Sequence, residues 1–238
     1  MSKNNNLVAK NYDRRASEYD QMSRVASPWV YFDKPFILKT VITAIKKNDQ
    51  IIDFGCGAGK AIDLLIEKGI SAKNIYGVDI SKELITIAKN NIPNAAFQVS
   101  DFTKMKLPKQ RFDVALSDRS VEYLDNKDLI KFFKNVFLSL KKGGKFYLIT
   151  GHPLRVNNGH ISTYLERGPR RVSLPWGMKV DLFHKTMSDF INAAIRAGFL
   201  IEYMEEPPIP LSLKRKDPKK FAHYKSYGAT SLHLILVK

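Results

Sequence analysis

A single cysteine, Cys56, in 238 residues leaves no partner for an internal disulfide and no cysteine cluster for a metal. No apolar run approaches membrane-spanning length, and Met1-Ser2-Lys3-Asn4-Asn5-Asn6 lacks the apolar core of a secretion signal. The expectation is therefore a cytoplasmic protein without a membrane partner. Acids are scarce, 23 Asp and Glu against 39 Lys and Arg, giving a net charge of +16. No group of them has the spacing of a divalent-cation site, so no metal is expected. Repeats and low-complexity tracts are also missing. What remains is ordinary for one α/β domain, with 44% hydrophobic and 26% charged residues and a chain long enough to bury a full core.

The excess positive charge is unevenly placed. Residues 151–185 carry Arg155, Arg167, Arg170, Arg171, Lys179 and Lys185 against Glu166 and Asp181, a balance of +4. Residues 207–227 carry Lys214, Arg215, Lys216, Lys219, Lys220 and Lys225 against Asp217, a balance of +5. A solvated basic surface is one reading; attraction of an anionic substrate or of nucleic acid is the other.

The most informative text is Asp53-Phe54-Gly55-Cys56-Gly57-Ala58-Gly59, between the apolar pair Ile51-Ile52 and an amphipathic run. Glycines at a strand-to-helix turn admit positive φ and let a ligand approach the backbone at a helix N-terminus. Ile75-Tyr76-Gly77-Val78-Asp79 reads as the next strand, ending in a carboxylate able to accept bonds from ribose hydroxyls. Strands are expected near 50–54, 74–79, 95–99, 112–117, 144–150, 199–205 and 231–237, and helices near 59–68, 82–91, 126–141 and 186–197. Ser81 and Asp125 or Asn126 serve as N-caps, and Gly69, Gly143 and Gly198 as helix stops. This alternation predicts a mostly parallel, Rossmann-like seven-stranded sheet with helices on both faces, preceded by a helical segment over 1–45 and interrupted by an insertion over 151–183.

The glycine spacing fails the dinucleotide pattern GxGxxG, since Lys60 or Ile62 occupies the last position. It resembles instead the DxGxGxG motif of class I S-adenosylmethionine-dependent methyltransferases, with an NAD or FAD enzyme as the competing reading. The resemblance extends over nearly the whole chain. Val99-Ser100-Asp101-Phe102 matches the position that reads adenine, and Leu140-Lys141-Lys142-Gly143-Gly144 the LKPGG turn before the fifth strand. Asn11-Tyr12-Asp13 through Glu18-Tyr19-Asp20 matches a YDxxAxxYD opening segment. Later texts, Gly151-His152-Pro153, His184-Lys185-Thr186, Ala197-Gly198-Phe199 and Glu206-Pro207, resemble a subgroup acting mainly on small molecules.

The resemblance implies one methyltransferase domain over 1–238, a final antiparallel strand inserted between the fifth and sixth, and S-adenosyl-L-methionine as cofactor. It places Tyr12, Tyr19, Asp53, Gly55, Cys56, Gly57, Gly59, Asp79, Ile80, Asp101, Phe102, Ser117 and Asp118 around that cofactor, Cys56 through its small size. Residues 1–45 would form a lid, although plain packing of Tyr12 and Tyr19 is the alternative. Methyl transfer is an in-line displacement needing chiefly alignment, and a base only where the acceptor must lose a proton. His184 and His152 are the candidates for that base; the alternative is a histidine holding the lid through backbone hydrogen bonds. Arg119, Arg155 and Arg171 are the candidates to bind a small anionic acceptor. Asp118 and Arg119 depart from the small apolar residues common there, and a surface ion pair is the other reading. An RNA-modifying enzyme is opposed by the lack of an NPPY-like text in Ser117-Asp118-Arg119-Ser120, so nucleic acid is disfavoured as a partner. A cofactor-binding protein without catalysis is the third possibility. The sequence is silent on the acceptor and on oligomeric state.

Overall fold

The apolar runs that open each expected strand pair side by side in the computed structural model, which describes residues 3–174 and 177–238. In chain order the strands are β1 (Ile51–Phe54), β2 (Ile75–Asp79), β3 (Ala96–Val99), β4 (Phe112–Asp118), β5 (Leu140–Gly151), β6 (Gly168–Ser173), β7 (Lys179–His184), β8 (Leu200–Glu205) and β9 (Ser231–Val237). Seven form one sheet in the order β3-β2-β1-β4-β5-β9-β8, and only β9 runs antiparallel to its neighbours β5 and β8. β1 and β9 are buried on both faces, as strands covered on both sides must be.

One face packs on the helices Asn126–Ser139 and Met187–Ala197, through Phe132, Phe133, Phe146 and Phe199. The other packs on Lys60–Glu67 and on a helical run over 29–44, through Ile37, Val41, Leu65 and Tyr147. Lys82–Asn91 begins where Ser81 Oγ accepts the Leu84 amide at 3.2 Å, and Asn126–Ser139 where an Asp125 oxygen accepts the Asp128 amide at 2.8 Å. Gly198 ends Met187–Ala197 in the left-handed conformation.

The expected strands and helices are present, with corrections. Gly143 does not stop a helix: Asn126–Ser139 ends two residues short of the expected 141, and Gly143 lies in a bulge at the start of β5, its amide bonded to the Lys238 carbonyl at 2.8 Å. The insertion holds the short helix Pro153–Val156 and the antiparallel hairpin β6–β7, with residues 175 and 176 outside the described residues. The basic stretch 207–227, for which no helix is expected from the sequence, forms two, Leu211–Lys216 and Pro218–Ser226, whose Leu213 and Tyr224 pack on Phe32. The N-terminal segment is helical as expected: Lys3–Asp13, Ala16–Val25 and the run over 29–44. Among the described residues no helix is long and apolar enough to cross a membrane.

Candidate active site

The C-terminal ends of β1, β2 and β4 open into a cleft with about 640 Å³ of empty space, part of it open to solvent. Tyr12, Tyr19, Gly55, Asp79, Ile80, Asp101, Phe102, Asp118 and Arg119 line it, so nine of the predicted residues converge. Asp79 holds the floor. Its Oδ2 accepts the Gly57 amide and its Oδ1 the Ser81 amide, both at 2.9 Å, while burial still raises its pKa. Asp101 Oδ1 accepts both the amide (3.0 Å) and the hydroxyl (2.6 Å) of Thr103, which fixes its carboxylate at the rim.

Asp53, Cys56, Gly57, Gly59 and Ser117 lie beneath the cleft surface. They shape it rather than line it. Gly55 (φ +74) must lack a Cβ because Ser120 Cβ occupies that space, and a Cβ on Gly57 (φ +55) would stand 3.2 Å from the Tyr19 ring. Burial pushes the Cys56 thiol well above its ordinary pKa, so it is a packing residue. Both Asp53 oxygens are buried with no hydrogen-bond partner among the described residues, and burial, then Asp118, raises its pKa to about 8. A fully desolvated carboxyl without donors holds its proton until a cation approaches. This orphaned acid, the cradle that a Cβ would fill and the carboxylates at the β2 end and the rim fit a cofactor with an ammonium, a ribose and an adenine.

A second recess of about 520 Å³ adjoins the cleft and shares Tyr12, Tyr19, Arg119 and Tyr123 with it. Its outer wall comes from Pro28 and Trp29 at the start of the run over 29–44, and from Leu174 of the insertion. Tyr12 and Tyr123 meet hydroxyl to hydroxyl at 2.6 Å, and the Tyr12 and Tyr19 rings meet edge to face at 5.0 Å. This aromatic group lines both cavities where they adjoin. Asp13 anchors it: its Oδ1 accepts the Ser81 hydroxyl at 2.6 Å and the Glu83 amide at 3.2 Å, at the N-terminus of Lys82–Asn91.

The cations of the recess are engaged with acids of the chain. Arg119 grips Asp33 with two bonds, Nε to Oδ2 at 3.0 Å and Nη2 to Oδ1 at 2.7 Å. Arg155 Nη1 stands 3.4 Å from Glu122, whose other oxygen accepts the Gly151 amide, and Lys60 pairs with Asp118 at 2.9 Å. Arg171 is not brought to this recess; it pairs with Asp181 on the exposed hairpin, beside a small cavity bordered by Asn11 and Val180.

Neither histidine candidate lines the two cavities. The Leu154 amide donates to His152 Nδ1 at 3.1 Å, which leaves the proton on Nε2, 2.6 Å from Glu206 Oε1. His184 Nε2 donates to the Tyr164 carbonyl at 2.7 Å. Both are buried, and burial lowers both pKa values. Their geometry is that of the backbone-holding alternative.

Residues that the sequence left unmarked also reach the site. Ser120 bridges Ser117 Oγ (2.6 Å) and the Phe54 carbonyl (3.1 Å), and Lys60 stacks 4.3 Å over Trp29. Lys60 had a signal, as the first residue after the glycine loop; Trp29 had none, because only the fold brings residues 29–44 to β4. Among the described residues no group of three or more His, Cys, Asp or Glu side chains is arranged to hold a metal ion.

A family described as a methyltransferase domain matches residues 45–189. The structure of an S-adenosylmethionine-dependent methyltransferase from Mesorhizobium loti superposes with a TM-score of 0.69 at 27% identity, over 83% of this chain and 96% of that one. A TehB-like methyltransferase from Corynebacterium glutamicum shares the fold, with a TM-score of 0.62 at 18% identity over 98% of each chain. Among curated relatives, the ubiquinone biosynthesis O-methyltransferase of Coxiella burnetii is 27% identical over 158 residues, 60% of this chain and 64% of that protein. An uncharacterized methyltransferase of Anoxybacillus flavithermus is 27% identical over 137 residues, 58% of this chain and 60% of that protein. With more than half of its length matched by the family and its sheet superposing on that of a solved relative, the chain belongs to the methyltransferase-domain family as an S-adenosylmethionine-dependent enzyme of the class I fold.

Proposed function

We propose that the chain methylates a small metabolite held in the recess walled by Tyr12, Tyr19, Tyr123 and Trp29. The observation that carries this reading is the junction of the two cavities at Tyr12, Tyr19, Tyr123 and Arg119. A cofactor in the first cavity and an acceptor in the second meet there. The cofactor supplies an electrophilic methyl group on a sulfonium. The chain's task is alignment: Asp79 and Asp101 would hold the nucleoside end, Asp118 would face the amino-acid end with Asp53 buried behind the cleft wall, and the tyrosines would exclude water from the junction.

The recess holds Lys60, Arg119 and Arg155 against Asp33 and Glu122, and Lys60 also answers Asp118. These charges balance, so the recess supports a neutral acceptor as well as a singly charged anion, a smaller bias than the charge count of the sequence implies. Aromatic walls support a planar acceptor. The O-methyltransferase name of a relative supports oxygen as the receiving atom, which an already ionised hydroxyl satisfies without a base.

Two measurements test the reading. Calorimetry should detect S-adenosylmethionine binding, weakened by about 1–3 kcal/mol in Asp79→Ala through loss of charge-assisted bonds. A screen of metabolite pools with isotopically labelled cofactor should yield a methylated small molecule, with Trp29→Ala raising KM for the acceptor and leaving cofactor affinity unchanged. Absence of cofactor binding would sink the whole proposal; turnover on RNA alone would replace its acceptor.

A further inference from the structure

The two basic segments differ in what their cations touch. In the insertion, Arg155, Arg167 and Arg171 are paired with Glu122, Asp189 and Asp181, Arg170 bonds Asn157 and the Glu166 carbonyl, and buried Lys185 bonds the Leu124 and Phe183 carbonyls. In the helices Leu211–Lys216 and Pro218–Ser226, none of Lys214, Arg215, Lys216, Lys219, Lys220 and Lys225 forms an ion pair among the described residues. The one acid between them, Asp217, is occupied in accepting the Lys220 amide at 2.9 Å. Five of the six are exposed, and Lys220 is half-buried. This is the densest run of uncompensated charge in the sequence.

A second feature adjoins it. An open groove of about 910 Å³ separates the run over 29–44 from the proline-rich turn after β8, walled by Tyr31, Phe32, Phe36, Pro207, Pro208 and Pro210. Ser212 closes the end nearest the basic helices, and Lys39 adds another cation, opposed by Glu205. Val30 on its wall is 38% exposed and Leu211, next to Ser212, is 67% exposed. His233 at its floor is buried against Phe36 with neither ring nitrogen hydrogen-bonded among the described residues. The exposed Val30 and Leu211 beside a groove of mixed polar and apolar lining, bordered by flexible lysines, combine the two attractions that hold a protein at a bilayer surface: burial of apolar groups in the headgroup region and Coulomb attraction to lipid phosphates.

We infer that this face, the basic helices 211–226 with the groove beside Val30 and Leu211, docks on an anionic lipid surface. The choice over nucleic acid rests on the groove, whose Phe32 and Phe36 rings are buried rather than presented for base stacking, and on a patch that is five parts lysine to one part arginine. Docking bears on the reaction because the run over 29–44 is shared: Tyr31 and Phe32 border the groove, while Trp29 and Asp33 border the acceptor recess. A docked enzyme would take an apolar acceptor from the same surface. This departs from the expectation of no membrane partner and concerns peripheral binding, not a span.

The test is sedimentation of the full chain with vesicles of phosphatidylcholine alone and of phosphatidylcholine with 30–50% phosphatidylglycerol, roughly the charge range over which polybasic attraction is felt. Binding is expected only to the anionic vesicles and should weaken as salt is raised. Lys214→Ser/Arg215→Ser/Lys216→Ser should lower it roughly tenfold or more. Lys68→Ser/Lys73→Ser/Lys89→Ser, with the same charge change among exposed lysines elsewhere, should leave it intact. Val30→Asp should also lower it, and thermal melts identify any variant that fails to fold. Overturning results are no binding to anionic vesicles, equal loss in both triple variants, or binding of homopolymeric RNA with no vesicle binding. Calorimetry with the cofactor is independent of all these outcomes, so failure here leaves the methyltransferase reading standing.

Discussion

Arg119 and Asp33, 86 residues apart, form a two-bond ion pair that ties the turn after β4 to the helical run over 29–44. Arg119 adopts φ +56, an unusual conformation for a residue with a side chain, and its amide bonds the Ile149 carbonyl at 2.9 Å. Its Nη2 also reaches Ser231 Oγ on β9. One guanidinium thus fixes the wall that the two cavities share.

Breaking this pair from one side leaves a charge buried without its counterion. Arg119→Ala should cost about 3–5 kcal/mol, because Asp33 is almost fully buried. Asp33→Asn should cost less, since the amide can still accept one of the two bonds. Urea melts of both variants and of the double variant measure the coupling; additive losses would show that the pair contributes nothing of its own.

Asp53 should make stability depend on pH with a definite sign. Its pKa is raised from 3.8 unfolded to about 8 folded, so between pH 4 and 8 the folded chain holds a proton that the unfolded chain has lost. Its contribution is fully present below pH 3.8 and is lost as pH rises through 8. His152, His184 and His233, all lowered by burial, act in the opposite direction below 6.5, so the readout is the difference between wild type and Asp53→Asn. That difference should fall with pH from 5 to 8, with a slope approaching about 1.4 kcal/mol per pH unit. A flat difference would mean that Asp53 is ionised throughout.

The sheet and the gathering of residues at the cleft were legible because each depends on local text: an apolar run, a glycine turn, an acid at a strand end. The hairpin β6–β7 was not. Gly-Pro-Arg-Arg-Val-Ser and Lys-Val-Asp-Leu-Phe-His bury only alternate residues against a small cluster around Val172, Val180 and Leu182, and their charges read as loop. The basic helices were hidden for a similar reason, since Leu213 and Tyr224 are too few to set a helical period among so many lysines. Charge totals misled most at Arg155 and Arg171, whose partners Glu122 and Asp181 are revealed by the fold and by the strand pairing.

The N-terminal segment is expected to behave as a lid hinged on Asp13. Removing its carboxylate in Asp13→Ala takes away the acceptor of the Ser81 hydroxyl and the Glu83 amide, at a cost of about 1 kcal/mol. Amide exchange over residues 6–25 should then speed up in the free protein and slow on cofactor addition in wild type. Tyr12→Phe, which loses only the 2.6 Å contact with Tyr123, should change acceptor KM more than cofactor affinity. Exchange unchanged by the cofactor would assign Tyr12 and Tyr19 to ordinary packing.

The last prediction separates two reasons for one glycine. At Gly55 a methyl group would collide with Ser120 Cβ, and the φ of +74 would strain any side chain by roughly 1–2 kcal/mol even in open space. Gly55→Ala should therefore lose cofactor binding and lower Tm. Adding Ser120→Gly removes the collision but not the strain, and it also removes the Ser120 hydroxyl from the Phe54 carbonyl. The double variant should regain part of the stability, and that stability should stay below that of Ser120→Gly alone by about the strain energy. If instead the double variant matches Ser120→Gly in Tm, the left-handed backbone at position 55 is cheap, and the collision alone explains the glycine.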